Sequence, residues 1–346
     1  MGPILAVRLH GPGEELRLEE VPLPEPRAAE VRVRVAGCGV CRTDLHIVDG
    51  TQPRVELPLT LGHEVAGWID GAGPEARAAL RHARLRDGDP VVVFGAGGCG
   101  SCRQCAGGHE QRCAAGRALG FQRDGGYAEF VLVPQAADLF PLGKLDPVRA
   151  APLADAGVTP YRAVKRASPW LVPGARVLVI GFGGLGQFAL QYLRRLPELT
   201  VAVRELHPDR LELAGTLGAD VGILGGDETL VELGLGGPAD VVFDLVGADD
   251  TFEYAMRNVA AGGLVMLVGE ASGEHRFGWE RTPTEAWLTT TAWGSRADLG
   301  EVVALARRGR LRWDVEPMAL RDAAEAHRRV AEGLFGGRLV LVPEAH

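Results

Sequence analysis

Lysine is almost missing from this 346-residue chain, with only Lys144 and Lys165 set against thirty-five arginines. That imbalance points to no function by itself. The net charge of −8 does exclude something, because an acidic chain is a poor match for nucleic acid or an anionic membrane. Long apolar runs are also absent. The longest uncharged stretch, 177–193, is too short to cross a bilayer comfortably and carries four glycines. The opening "MGPILAVRLHGPGEE" lacks the apolar core of a secretion signal, so a cytoplasmic protein is expected. Cysteine is scarce, at six residues, and in that compartment thiols serve as ligands more often than as disulfides. No internal repeat or low-complexity tract is present. Glycine, by contrast, is abundant at 48 residues, which implies many tight turns and close backbone approaches.

The length suits two domains, each with its own core. Over the first 150 residues short alternating stretches such as "EVRVRVAGCGV", "DPVVVFGAGG" and "YAEFVLVP" read as strands between Gly/Pro turns. From about Ala156 apolar strands alternate with helical spacing: "ARVLVIGFGG", "LGQFALQYLRRL", "LTVAVREL", "DRLELAGTLGAD", "ADVVFDLVG", "FEYAMRNVAAGG", "GLVMLVGEAS". Such alternation predicts an α/β fold with a parallel, doubly wound sheet over 156–293, after a β-rich domain over 1–155. Residues 294–346 read as two helices and a closing strand that return to the first domain.

Four cysteines cluster in "GCGSCRQCAGGHEQRC". Cys99, Cys102, Cys105 and Cys113 lie within a glycine-rich lobe at about 95–115. Four thiolates close a tetrahedral zinc site with no open position, which makes a structural metal that staples a small polar lobe. Iron–sulfur motifs are spaced differently, and unrelated free thiols are the bland alternative.

"GFGGLG" follows the strand "RVLVI" and opens a helix. Gly181 permits the turn, Gly183 lets a diphosphate approach the backbone, Gly184 and Leu185 begin the helix, and Gly186 lets helix meet strand. Glu205 closes the next strand, where a carboxylate accepts ribose hydroxyls and repels a 2′-phosphate, favouring NAD over NADP. Arg204 beside it works against that preference. A merely structural glycine turn is the alternative.

A third cluster is less specific. Cys41, Thr43, Asp44 and His46 lie close together in "GCGVCRTDLH", and His63 and Glu64 follow in "LGHEVAG". One thiol and one imidazole do not hold zinc, and a catalytic site needs three protein ligands plus an exchangeable position. Cys38 and Cys41 could instead be half of a second cysteine-pair site, and His63 an ordinary turn histidine. Asp155 stands alone in the apolar run "APLADAGVTPY", where a buried carboxylate is costly unless something receives it.

The ordered motifs "CRTDLH", "GHE", the four-cysteine loop, "AGVTPY" and "GFGGLG" resemble the zinc-dependent medium-chain alcohol dehydrogenases over nearly the whole chain. The resemblance implies a GroES-like catalytic domain joined to a Rossmann domain. It implies an enzyme that interconverts alcohols with aldehydes or ketones by hydride transfer to NAD, secondary alcohols slightly favoured. It also implies two zinc ions per subunit and a homo-oligomer, tetramer over dimer. Cys41 and His63 would bind the catalytic zinc, and Asp155 falls where most members place a third ligand, a cysteine. Capping or solvation of Asp155 is the alternative. Asp44 would orient His63, Glu64 would approach zinc during ligand exchange, and Thr43 and His46 would carry the alcohol proton outward. Arg42 and Arg338 fall where the family places arginines near the cofactor diphosphate, although Arg338 reads equally as a surface charge. Polyol or amino-alcohol oxidation is the runner-up, and a non-catalytic zinc module a distant one. Phe121, Trp279, Trp287 and Trp293 could line a cleft or pack a core. "PEARAALRHARLRDGD" is a longer connection than the family usually has, with a solvated His82.

Overall fold

The computed structural model describes residues 2–274, 276–334 and 337–344. The expected chain ends of the first and last domains, Met1 and His346, lie outside the described residues. Two compact units form: Met1–Val158 with Gly294–His346, and Thr159–Trp293.

In the first unit the strand Val31–Gly39 buries Val31, Val33 and Val35 and turns Arg32 and Arg34 outward, as its alternation predicts. It pairs antiparallel with Glu64–Ala72, whose register sets Glu64 opposite Gly39. Any Cβ at position 39 would overlap the Glu64 carboxylate, so glycine is required for this approach. The strand Arg338–Val342 pairs with Val31–Gly39 through Val340 and Leu341. Seven strands make this sheet, and a three-stranded sheet completes the β-rich layer around one apolar cluster that includes Leu9, Leu61, Val65 and Leu339.

The second unit holds a six-stranded, wholly parallel sheet. Its order is Val221–Leu224, Thr200–Glu205, Arg176–Ile180, Ala239–Asp244, Val259–Leu267, Trp287–Thr290. This is the doubly wound nucleotide-binding order, in which the sheet reverses direction of growth beside its first strand. Gly181 follows that first strand with φ +89, a conformation glycine adopts without strain.

Three elements differ from the sequence-based expectation. Helix Asp249–Asn258 ends before the "VAAGG" run, because Val259 already pairs with Ala239. Glu64, read as part of a short segment, instead opens the nine-residue strand Glu64–Ala72. The connection "PEARAALRHARLRDGD" contains the helix Pro74–His82, which buries only Ala76 and Leu80, one turn apart, while His82 stays exposed. Two apolar positions among arginines are too few to declare a helix in sequence.

Leu80 is 3% exposed, so Leu80→Ala should lower the unfolding free energy of the first unit by about 2–4 kcal/mol in urea titration. A loss below about 0.5 kcal/mol would mean the helix is not anchored to that core.

Candidate active site

The short helix Arg42–Val48 starts at Cys41, and its first turn is closed by Asp44, whose Oδ2 accepts the Cys41 backbone N–H at 2.8 Å. The same carboxylate reaches a second segment, with Oδ1 3.3 Å from His63 Nδ1. Burial works to raise the Asp44 pKa, but His63, His327 and the Cys41 N–H outweigh it and hold the carboxyl below its ordinary value. His63 thus presents Nδ1 to the Asp44 carboxylate and Nε2 to the other side.

There it meets residues from distant parts of the chain. Asp155 caps the one-turn helix Ala151–Ala154, and its Oδ2 lies 3.7 Å from His63 Nε2 and 3.8 Å from Cys41 Sγ. Donor atoms of Cys41, His63, Glu64 and Asp155 all lie within 4.8 Å of one another. Tetrahedral zinc with ordinary bond lengths would set such donors about 3.4–3.6 Å apart, so the group fits the ion with small adjustments.

Glu64 and Arg338 are both buried and form a two-pronged ion pair, with Arg338 Nε donating to Oε2 at 3.0 Å and Nη2 donating to Oε1. Burial pushes the Glu64 carboxyl up to about 7, while the neighbouring Arg338 pulls it down. Arg338 is thus no surface charge, and its guanidinium is committed to Glu64. Arg42 is exposed and donates to the Val330 carbonyl at 3.4 Å. Thr43 Oγ1 stands 3.5 Å from Cys41 Sγ, and His46 follows one turn later on the same helix face. Phe121 lies against the His63 ring at 5.6 Å between centroids, whereas Trp279 and Trp287 are exposed and pack no core.

The four lobe cysteines also converge. Sγ separations are 3.6 Å for Cys102–Cys105, 3.7 Å for Cys102–Cys113 and 4.0 Å for Cys99–Cys105. The edge of a Zn–S₄ tetrahedron is about 3.8 Å, so the lobe fits a closed zinc site. The backbone N–H and hydroxyl of Ser101, with the Cys102 N–H, draw the Cys99 thiol down to about 6. A ligand thiol must shed its proton, and this favours it. Arg296 ties the lobe to the return segment, donating from Nη1 to Glu110 at 3.2 Å and from Nε to Asp138 at 2.6 Å.

In the second unit, Gly183 caps the helix Gly184–Leu193, and a Cβ there would meet nothing within 4 Å. No packing demands this glycine. At Gly186 a Cβ would overlap the Gly181 carbonyl oxygen, so the turn itself demands glycine. Leu185 sits in the first turn of the helix. Glu205 is buried rather than open to solvent; Oε2 accepts the Phe182 N–H at 2.7 Å and Oε1 those of Leu206 and His207. Arg204 points to the opposite sheet face, over the Tyr254 ring at 4.4 Å, and donates to the Gly226 carbonyl.

These features define a metal-binding dehydrogenase: a β-rich unit with two metal-competent clusters and a nucleotide-binding α/β unit. Residues 27–144 match the alcohol dehydrogenase GroES-like domain, and residues 184–308 the zinc-binding dehydrogenase domain. The D-arabinose 1-dehydrogenase (NADP(+)) of Saccharolobus solfataricus is 35% identical over 95% of both chains. An NAD-dependent alcohol dehydrogenase of Sulfurisphaera tokodaii is 34% identical over 98% of this chain and 99% of its own. The crystal structure of the alcohol dehydrogenase from Aeropyrum pernix superposes with a TM-score of 0.90 at 34% identity, covering 98% of this chain and 100% of that one. The chain belongs to the zinc-dependent medium-chain alcohol dehydrogenase family. Among the described residues no helix is long and apolar enough to cross a membrane.

Sequence reasoning did not find the Glu64–Arg338 pairing, nor the run of contacts from His327 through Tyr127 to Asp44. Each depends on long-range packing that leaves no local spacing signal.

The two glycines should separate by experiment. Gly183→Ala should change stability by less than about 1 kcal/mol yet raise the NAD dissociation constant at least tenfold in calorimetry. Gly186→Ala should destabilise the fold by roughly 1–3 kcal/mol. Unchanged NAD affinity in Gly183→Ala would remove the diphosphate assignment.

Proposed function

We propose that this chain is a zinc- and NAD-dependent oxidoreductase that interconverts alcohols with aldehydes or ketones, secondary alcohols slightly favoured. The observation that carries the reading is the meeting of Cys41, His63 and Asp155, a three-donor set that leaves one position for substrate. Two zinc ions per chain follow, one at this set and one at the four cysteines. One thiolate and one carboxylate balance a divalent ion as two thiolates would. Oxygen donates less charge than sulfur, which makes the metal a stronger Lewis acid and a more weakly held one.

When bound, zinc lowers the pKa of an alcohol and NAD accepts its hydride. The chain's own residues bind, orient and move protons around that event. Asp44 fixes His63 in the tautomer that presents Nε2. The Thr43 hydroxyl both accepts and donates, so it can take the alcohol proton, and the half-buried His46 on the same helix would carry it outward by way of the cofactor ribose. Arg338 holds Glu64 beside the donor set, within reach during ligand exchange. Phe121 supplies an apolar wall next to His63.

NAD is favoured over NADP because the negative Glu205 ends the second sheet strand and Arg204 is engaged on the opposite face. Arg210, whose Nη1 lies 3.9 Å from Glu205, is a cation that works the other way. A second substrate reading, oxidation of a sugar or polyol hydroxyl, draws support from the similarity to the D-arabinose 1-dehydrogenase.

A panel of secondary and primary alcohols, polyols and aldoses, followed by NADH absorbance with metal content measured in parallel, tests the reading. Turnover on a secondary alcohol, lost on removal of the more weakly held metal and restored by zinc, is expected. Oxidation of every tested substrate surviving complete metal removal would overturn it. Thr43→Val should lower kcat by about 10²–10⁴ with NAD affinity unchanged. Wild-type turnover in that variant would dismiss the relay.

A further inference from the structure

Asp44 receives one more hydrogen bond that the reaction as described does not use. Its Oδ2, already holding the Cys41 N–H, also accepts the Tyr127 hydroxyl at 3.1 Å. Tyr127 is fully buried, and its oxygen lies 3.2 Å from His327 Nε2, on the helix Ala323–Glu332 of the return segment. His327 is 6% exposed, and burial lowers its pKa, which leaves the ring neutral. Backbone contacts fix the tyrosine on both sides, its N–H donating to Leu61 and its carbonyl accepting from Val7. Its ring fills the space beside Gly62, where a Cβ would overlap it, directly before His63.

Proton counting gives this chain one direction. The single phenol proton is directed at Asp44 Oδ2. The phenol oxygen can then only accept from His327, whose Nε2 must carry the hydrogen. His63 Nδ1 faces the other oxygen of the same carboxylate at 3.3 Å. The order is His327 Nε2–H to Tyr127 O–H to Asp44, with the His63 ring facing Asp44 from the other side.

We propose that Tyr127 and His327 are positioning residues for the metal site: they hold Asp44 in place and thereby fix the tautomer and ring orientation in which His63 offers Nε2. The inference rests on the metal ligation of His63 under the proposed function. Its physical basis is that groups hydrogen-bonded behind a metal ligand raise the ligand's basicity and limit its motion, and their loss typically weakens metal binding 10–100-fold. A hydrogen bond from the far end of the chain, relayed by a second from Tyr127, would thus act on a site whose ligands lie in the first 155 residues.

The test compares wild-type protein with Tyr127→Phe, His327→Leu and His327→Gln, each loaded with zinc and titrated with a chromophoric chelator. Each is also reconstituted with cobalt(II) for visible spectra. Tyr127→Phe and His327→Leu should weaken the weaker of two metal sites about tenfold and shift its cobalt bands. The four-cysteine site serves as the internal control and should not change. His327→Gln, which keeps an N–H donor, should restore most of the affinity. Wild-type affinity and an unaltered cobalt spectrum in Tyr127→Phe would overturn the proposal. If Tyr127→Phe does not fold, equal affinities in His327→Leu and wild type would do the same. A wild-type chain that takes up metal only at its four cysteines would instead remove the metal reading of His63, and this proposal with it.

Discussion

Crowding of negative charge in a buried place is the constraint around which the catalytic unit is organised. Cys41, Asp44 and Glu64 are buried and the side chain of Asp155 is 14% exposed, yet their acidic atoms share one small volume. Removing such groups from water costs several kcal/mol each unless cations or hydrogen-bond donors meet them. Asp44 has donors from Cys41 and Tyr127 and the His63 imidazole beside it, and Glu64 has Arg338. Cys41 and Asp155 have the imidazole and each other, a set whose chemistry suits a divalent ion. The sheet and the short helix at Cys41 make this proximity unavoidable.

Backbone registers do the assembling. Antiparallel pairing sets Glu64 opposite Gly39 and thus beside the turn that carries Cys41. The last strand then enters beside the same strand and delivers Arg338 to Glu64. Glycine at position 39 is the condition for this, since a side chain would occupy the carboxylate's place. The return segment also contributes His327 and Arg296, so one stretch of chain supports both the catalytic cluster and the cysteine lobe. Similarity to family members extends over nearly the full chain, as expected when distant segments must meet in one geometry.

Within the nucleotide-binding unit, two glycines of a single motif have different physical reasons. Gly186 is demanded by the turn, whereas the protein leaves the space at Gly183 open. Glu205 joins the turn to the neighbouring strand by accepting the Phe182 N–H, so this carboxylate has a structural task as well as the nucleotide-facing one its position suggests.

Sequence alone determined the class of fold, the ligand types and the two glycine-rich regions, because strand and helix periodicity and close ligand spacing are local properties. The four cysteines were legible since they lie within one loop, and the parallel sheet since its strands and helices alternate. Asp155 could be singled out as an anomaly, a carboxylate in an apolar run, and only the family resemblance named Cys41 and His63 as its neighbours. The helix at 74–82 was hidden because only two of its residues reach the core. Tertiary structure alone decided that Arg338 is buried against Glu64, that Arg204 turns away from Glu205, and that Tyr127 and His327 stand behind Asp44. Those partners lie far apart along the chain, and only packing and strand register bring them within hydrogen-bonding distance.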